Sequence, residues 1–466
     1  MQFTVPTNWD PKLIEALAKF PVVDVYGSLD KTPIGGGRPS SILPKISEAT
    51  VADHVKLVHQ KKMKFSYVLN APCMGNMEFD SEFHKQMLEH LQWIQDIGAD
   101  GVIVTTPFLI ALLKEQFPKL KIRVSTIAHV NSVNRAKFFE QLGVSEITPD
   151  VMINRDFLTL EKMRKAVKCE LVLLVTDGCL YQCPFRYYHY NMMGHASQLN
   201  AGFHIDFPIL NCSMIKFSNP TEVVKSRWVR PEDLSHYEAI GINHFKLGGR
   251  RLPADWIIRA ITAYSSRKYE GNLIDIIEGF SFSYGSIQKK EASARFGDSV
   301  DSEWKAQLVI DNSALDGFID FFKTQNCVAM CDECHYCEEW GKKAVTINKE
   351  QTESYLANLK SFMDDIVTSR EFGVKTTKVK AKKKKGIDWD PETQRIFEEM
   401  VKGTPPEFQS MTRMVIGALS ETKAKKRGSS IIENEDMVAA FLEGTPGPFQ
   451  EVMRKDLAKY GFKIEA

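Results

Sequence analysis

The sequence predicts an α/β protein built on a (β/α)8, TIM-barrel-like domain and followed by a small all-α C-terminal domain. Three observations lead there. Short runs rich in Val, Ile, Phe and Tyr alternate with amphipathic stretches from about residue 20 to about residue 265, a rhythm that implies parallel strands with covering helices. The 466 residues exceed what one small module needs, so two or three domains are expected. A lysine-dense run, "VKTTKVKAKKKKG" (374–386), separates the alternating part from a helix-rich tail.

In order, the strand candidates are "FPVVDVYGSL" (20–29), "MKFSYVLNAP" (63–72), "GADGVIVTTP" (98–107), "KIRVSTIAH" (121–129), "VSEITP" (144–149), "CELVLLVTDG" (169–178) and "INHFKLGG" (242–249). An eighth is placed at "GFSFSYG" (279–285). Between the second and third, "SEFHKQMLEHLQWIQDIG" repeats Phe83, Met87, Leu91 and Ile94 at the three-to-four spacing of a helix with one buried face. In such a barrel, chemistry gathers on the loops after the strand C-termini. Those loops carry "IGGGRPSS", "NAPCMGN", "STIAHVNSVN", "TDGCLYQCPFRYYHYN" and "GGRR".

The expected divisions are 1–345 for the barrel with its cysteine-rich loops, 346–386 for a helix and Lys-rich linker, and 387–466 for the helical module. In the module, Asp390 reads as a helix N-cap with Pro391 at the first helical position. "GTPPEFQ" (403–409) and "GTPGPFQ" (444–450) read as two similar capped helix starts. Met411, Met414, Val415, Ala418 and Leu419 form one expected helix face, and Phe449, Val452, Met453 and Leu457 another.

A formal charge of +1, with 26% charged and 43% hydrophobic residues, advertises neither a nucleic-acid field nor an acidic binding surface. The N-terminal "MQFTVPTNWDPKLIEAL" lacks the basic-then-apolar order of a signal peptide, and no apolar run reaches the roughly 18 residues of a membrane span. The expectation is a cytoplasmic protein with no membrane span. In a reducing compartment its nine cysteines favour metal or redox chemistry over disulfides.

Seven of the nine cluster: Cys179, Cys183 and Cys212 in one region, and Cys327, Cys331, Cys334 and Cys337 in "CVAMCDECHYC". Cys73 and Cys169 read as small buried hydrophobes. Closely spaced thiols converge on a metal at low entropic cost. Zinc remains one reading, but a compact run with a distant partner favours a [4Fe–4S] cluster. Either one cluster is shared, a late cysteine completing the set begun by Cys179, Cys183 and Cys212, or there are two. Cys327, Cys331 and Cys334 also match the Cys-x3-Cys-x2-Cys spacing of radical S-adenosylmethionine enzymes, but their late position and Glu333 in place of an aromatic argue for coincidence.

Further candidates surround these. Backbone N–H groups of Gly35, Gly36 and Gly37, with Arg38, suit an anion or a cofactor phosphate. Arg186, His189 and His195 follow the first cysteine turn and are candidates for substrate binding and proton transfer. Lys246 and Arg250, at a strand mouth, suit a substrate carboxylate.

The segment "STIAHVNSVNRAKFFEQLGVSEITPDVMINRDFLTLEKM", through Ser125, Thr126, Asn134, Gly143 and Arg155, resembles the peptidase U32 family. So do "DGCLYQC" and "RWVRPEDLSHYEAIGINHFKLGGR", the latter through Pro231, Asp233, Leu234, Gly241, Lys246, Gly249 and Arg250. The resemblance implies a [4Fe–4S] cluster with Cys179, Cys183 and Cys212 among its ligands. It also implies oxygen-independent hydroxylation, or a related redox modification, of an aromatic small molecule or nucleobase, with an electron-donor protein as partner. Two differences stand out: Asp177-Gly178 replaces the family's His-Gly, and Gly248 replaces the acid of its Lys-Ile-Glu-Gly-Arg. No His-Glu-x-x-His occurs, which argues against a zinc peptidase. Residues Asp388 to Phe462, through Trp389, Pro391, Glu392, Pro406 and "ENEDM", resemble the C-terminal module of the light-independent protochlorophyllide reductase B subunit, implying a partner subunit that docks there. The alternative reading is a non-catalytic iron–sulfur electron-transfer or assembly partner of a larger reductase.

Overall fold

The structure is a computed structural model that describes residues 1–199, 206–279, 308–325, 327–368, 387–404, 406–445 and 449–462, without the side chains of 351, 354, 358, 406–408, 410 and 411. It divides into two compact units, Met1–Gly373 and Val374–Ala466. The Lys-rich run lies outside the described residues.

Eight parallel strands close the barrel of the first unit: β1 (Gln2–Pro6), β2 (Val22–Gly27), β3 (Lys64–Leu69), β4 (Gly101–Val104), β5 (Lys121–Val124), β6 (Glu146–Ile147), β7 (Glu170–Leu174) and β8 (His244–Lys246). The seven strands expected between residues 20 and 249 are β2 to β8. The eighth is not at 279–285, of which 280–285 lies outside the described residues. It is the N-terminal run Gln2–Pro6, whose Gln2, Phe3 and Thr4 sit in register with His244, Phe245 and Lys246 of β8. The reason is the two-residue period: Phe3 and Val5 are fully buried under the helices while Thr4 is buried inside the barrel.

Two polar and apolar layers fill the barrel. In the lower one Arg123 of β5 holds Asp24 of β2 at 2.7 Å and Glu146 of β6 at 3.5 Å. Ser66 donates to Asp24 at 2.9 Å, and His244 joins Thr4 and Glu170, each at 2.9 Å. Two residues further along their strands, Tyr26, Val68 and Ile103 pack together, with the Lys246 ammonium 4.4 Å from the Tyr26 ring centre. The covering helices obey local rules. Asp80 caps Ser81–Asp96 by accepting from Phe83 N–H at 2.9 Å, and the helix buries Met87, Leu91 and Ile94 as the spacing predicts.

After β8 the chain forms an antiparallel pair, β9 (Leu308–Ile310) with β10 (Val345–Ile347), that brackets the late cysteines. Helix Lys349–Thr368 then packs Leu359 and Phe362 on Leu210 of helix Phe207–Ser218.

The second unit holds four helices among its described residues and a short parallel pair, β11 (Asp388–Trp389) with β12 (Ile431–Ile432). Asp390 caps Pro391–Lys402 as expected, accepting from Thr393 N–H at 2.9 Å. The repeated Thr-Pro…Gln elements stand where helices Pro406–Arg427 and Gln450–Lys459 begin, and they also close the helices before them. Thr404 and Thr445 donate their hydroxyls back to Val401 and Phe441 carbonyls, and Gln409 and Gln450 donate to the Thr404 and Thr445 carbonyls. The expected apolar faces hold in part: Leu457 is buried and Leu419 and Met453 pack on the core, but Met414, Val415, Ala418, Phe449 and Val452 are exposed while Ile416, Ser420 and Ala424 are buried. The helix Pro406–Arg427 is turned by the demand of Phe397 and Phe441 for a neighbour, a constraint that its own periodicity does not contain.

Because β1 closes the barrel, Phe3→Ala should behave as a core truncation. It is expected to cost about 3–5 kcal/mol, read as a lowered urea midpoint of the first unfolding transition; a cost below about 1 kcal/mol would mean that the N-terminal run is dispensable.

Candidate active site at the barrel mouth

The C-terminal rim of the barrel is lined by charged and polar groups, nearly all engaged. Ser28, following β2, accepts from Arg250 Nη1 at 2.9 Å. Burial pulls the Arg250 guanidinium down to about 10, and Arg38 adds to the effect by repulsion. Burial also pulls down the ammonium of Lys246. Tyr26 donates to the Leu247 carbonyl at 2.7 Å, which ties β2 to the exit of β8.

The glycine turn does not offer an open cradle. Gly35 N–H donates to Thr32 Oγ1 at 2.8 Å, Gly36 N–H to Ser197 Oγ at 2.8 Å and Gly37 N–H to Asn70 Oδ1 at 2.7 Å. The expectation of a backbone anion site there is therefore corrected, since its donors are spent inside the protein. The glycines serve close approach instead: a Cβ on Gly37 would strike Ile127, and Gly35 has a φ of +84°. Arg38 pairs with Glu278 at 3.1 Å.

Glu278 also answers the missing acid at position 248. The chain at Glu278 pairs alongside Asp177, with Gly178 N–H donating to the Glu278 carbonyl at 3.0 Å. Its carboxylate occupies the space that a side chain on Gly248 would need. An acid thus reaches the rim from a different part of the chain.

Beyond β7 the first cysteine turn is shaped by Asp177, which accepts from Cys179 N–H at 2.7 Å, and by Gln182 in the left-handed region at φ 50°. Cys212 comes from helix Phe207–Ser218, capped by Asp206. All three cysteines are half-buried. Burial raises the Cys179 and Cys183 thiols; Cys212 raises both further, whereas Arg186 and Lys216 pull both down. Three thiols and two cations therefore share one locality. Lys216, one helical turn after Cys212, donates to the Gly279 carbonyl at 2.9 Å.

Arg186 opens helix Arg186–His195 and grips Asp150 through both terminal nitrogens, at 2.8 and 3.1 Å. Asp150 also pairs with His129 at 3.2 Å and caps the turn Val151–Ile153. His189 pairs with Asp206 at 3.0 Å, and exposed His195 bonds Gln198 at 3.1 Å. The predicted Arg186, His189, His195 and Lys246 are thus held by four different partners rather than converging on one point. The late cysteines form a second locality: Cys331 and Cys337 lie in the fields of Cys327 and of each other or Cys334, and of Lys225, Arg227 or Arg155. Cys169 packs against the core, and Cys73 accepts from Gly75 N–H at 3.3 Å. Sequence reasoning missed Asp150, His129, Asn70, Glu278 and Lys216, none of which belongs to a spaced motif.

Burial would raise the Asp150 carboxyl, but His129, Arg186 and the Met152 N–H outweigh it and hold the group at about 2. Its folded value lies below its unfolded one, so the stabilisation is complete above about pH 4 and is lost as pH falls toward 2, amounting to about 2 kcal/mol. Asp150→Asn should abolish that acid-limb increment in pH-dependent urea unfolding. At neutral pH the same variant is expected to cost about 3–5 kcal/mol by stranding the Arg186 charge.

Residues 43–195 match the family model described as Peptidase family U32. The chain is 30% identical over 318 residues to an uncharacterized protease of Methanocaldococcus jannaschii, covering 67% of this chain and 86% of the relative. Among solved structures, the U32 peptidase Mk0906 is similar at a TM-score of 0.41 and 20% identity, over 53% of this chain and 93% of the other. The chain belongs to peptidase family U32.

Proposed function

We propose that the protein is an iron–sulfur oxidoreductase that modifies an aromatic small molecule or a nucleobase without O2. The observation that carries this reading is the shared locality of Cys179, Cys183 and Cys212 at the barrel mouth, beside Arg186 and Lys216. The donor set fits the group: three half-buried thiols suit iron better than magnesium or calcium, and cations alongside stabilise thiolates. When bound, a [4Fe–4S] cluster supplies single electrons or a Lewis-acidic iron. The chain's own residues provide the rest. Tyr187 and Tyr188 are exposed on the helix that begins at Arg186, and the Tyr187 ring centre stands 4.3 Å from that of His129. They form a wall on which a flat substrate stacks. Arg186, buried and held by Asp150, adds positive charge beneath this wall.

A peptidase, the activity in the relative's name, is less well supported. Among the described residues no histidine hydrogen-bonds a thiol, as a cysteine protease requires. A hydroxyl–imidazole–carboxylate relay does exist, Thr4–His244–Glu170, but Thr4 is fully buried inside the lower barrel layer, away from the rim where substrates reach a barrel of this type. A second oxidoreductase-linked reading, an electron-transfer or assembly partner, is favoured by one feature: Met414, Phe449 and Val452 are exposed on the C-terminal unit and offer a partner subunit an apolar contact.

Anaerobically purified protein should contain iron and acid-labile sulfide, and Cys212→Ser should remove about four irons per chain if it strips a cube of its ligand. Protein devoid of sulfide would sink the reading. Thr4→Val, by leaving His244 without its acceptor or donor, should lower stability by about 1–3 kcal/mol while leaving any turnover per folded molecule unchanged; loss of hydrolysis alone would instead restore the peptidase.

A further inference from the structure

The late cysteines sit in a segment with its own architecture. Cys327–Met330 forms one helical turn, and Cys334 N–H bonds back to the Met330 carbonyl at 3.2 Å. His335 then turns the chain through the left-handed region, and helix Tyr336–Ala344 carries Cys337 in its first turn. An aromatic block holds this knuckle. The Tyr336 ring stacks on Phe321 with centres 4.0 Å apart, and its hydroxyl donates to the Phe318 carbonyl at 3.0 Å. Gly341 lets the helix meet the backbone of Thr221, where a Cβ would stand at 3.2 Å.

Two buried arginines stand beside the knuckle. Arg155 lies 4.7 Å from the Trp228 ring centre and 4.8 Å from that of Phe318, with Nη1 and Nη2 donating to the Val224 and Trp228 carbonyls. Arg227 is 3% exposed, and its guanidinium sits 3.7 Å from the ring centre of Tyr181, the residue between Cys179 and Cys183. Its Nε and Nη1 are buried without a hydrogen-bond partner among the described residues, and it forms no ion pair there. The two guanidinium groups repel each other, and both act on Cys337. A buried charge without a partner is costly, so an anion beside Arg227 would be stabilising.

We infer that Cys327, Cys331, Cys334 and Cys337 form a self-contained metal site, separate from the set Cys179, Cys183 and Cys212, in which a thiolate-bound metal centre faces Arg227 and Arg155. The spacing Cys-x3-Cys-x2-Cys-x2-Cys delivers all four ligands from one short segment. Occupation replaces four thiol protons by the metal, and the product is a dianion both for a [4Fe–4S]2+ cube and for a single Zn2+. That charge meets the two guanidinium groups. Arg227 lies over Tyr181 of the first cysteine turn and 5.4 Å from the ring centre of Phe322, a member of the aromatic block that holds the late segment. This inference rests on the late segment alone and does not depend on the barrel-mouth reading.

The test is elemental analysis of iron, sulfide and zinc in the anaerobically purified full chain, with EPR after reduction, for the wild type and two double variants. Cys331→Ser with Cys334→Ser should lose one complement, about four irons or one zinc per chain, and keep the remainder. Cys179→Ser with Cys212→Ser should keep the late complement. Concerted loss of all metal in both variants, or wild-type metal content in the late variant, would overturn the inference. An early variant with unchanged metal, beside a late variant that loses its share, would sink the barrel-mouth proposal and leave this one standing. Arg227→Gln removes no ligand and guards against a folding artefact: chelator-driven loss of the late metal should accelerate by about tenfold, and an unchanged rate would refute the facing role of the arginine.

Discussion

Arg123 is the cation around which the barrel closes. It joins β5 to Asp24 on β2 and Glu146 on β6 inside the lower layer, where burial weakens screening by solvent and the loss of both acids would strand the guanidinium. Burial drives the Asp24 carboxyl upward, to about 6, against the pull of Arg123. The gain is register. A one-residue slip of any of these strands would turn an ion outward and a Val or Ile inward, and the upper layer of Tyr26, Val68, Ile103 and Lys246 would lose its place.

That registered upper layer sets the rim. Tyr26 binds the exit of β8, Thr176 binds Gly248, and Arg250 reaches across to Ser28. With the glycine turn satisfied internally and Arg38 paired to Glu278, the mouth keeps few idle polar groups. The cysteines are the exception. All nine are free thiols, and the Arg227 guanidinium lies over the ring of Tyr181, between Cys179 and Cys183 in the chain.

Much of the barrel was legible in the sequence, and the misses share a cause. Strands β2 to β8 and the helix Ser81–Asp96 announce themselves by local periodicity. β1 does not, because five residues ending in proline carry too little pattern, and only the edges of β2 and β8 make them a strand. The face of helix Pro406–Arg427 was misread for the same reason: several phases of its apolar residues are acceptable alone, and Phe397 and Phe441 choose among them. At the site, the cysteines were visible because spacing is a local property. Asp150, Glu278 and Arg227 were not, since each acts on a residue distant in the chain.

By itself, then, the sequence determined the α/β alternation, the seven clustered thiols and the family, all of which are written in short-range spacing and residue identity. Tertiary structure decided which strand closes the barrel, that an acid from position 278 fills the space beside Gly248, and that the buried Arg227 lies over Tyr181. Those outcomes come from contacts between residues tens to hundreds of positions apart, whose energies depend on burial and on neighbouring charge, and no local pattern encodes either quantity.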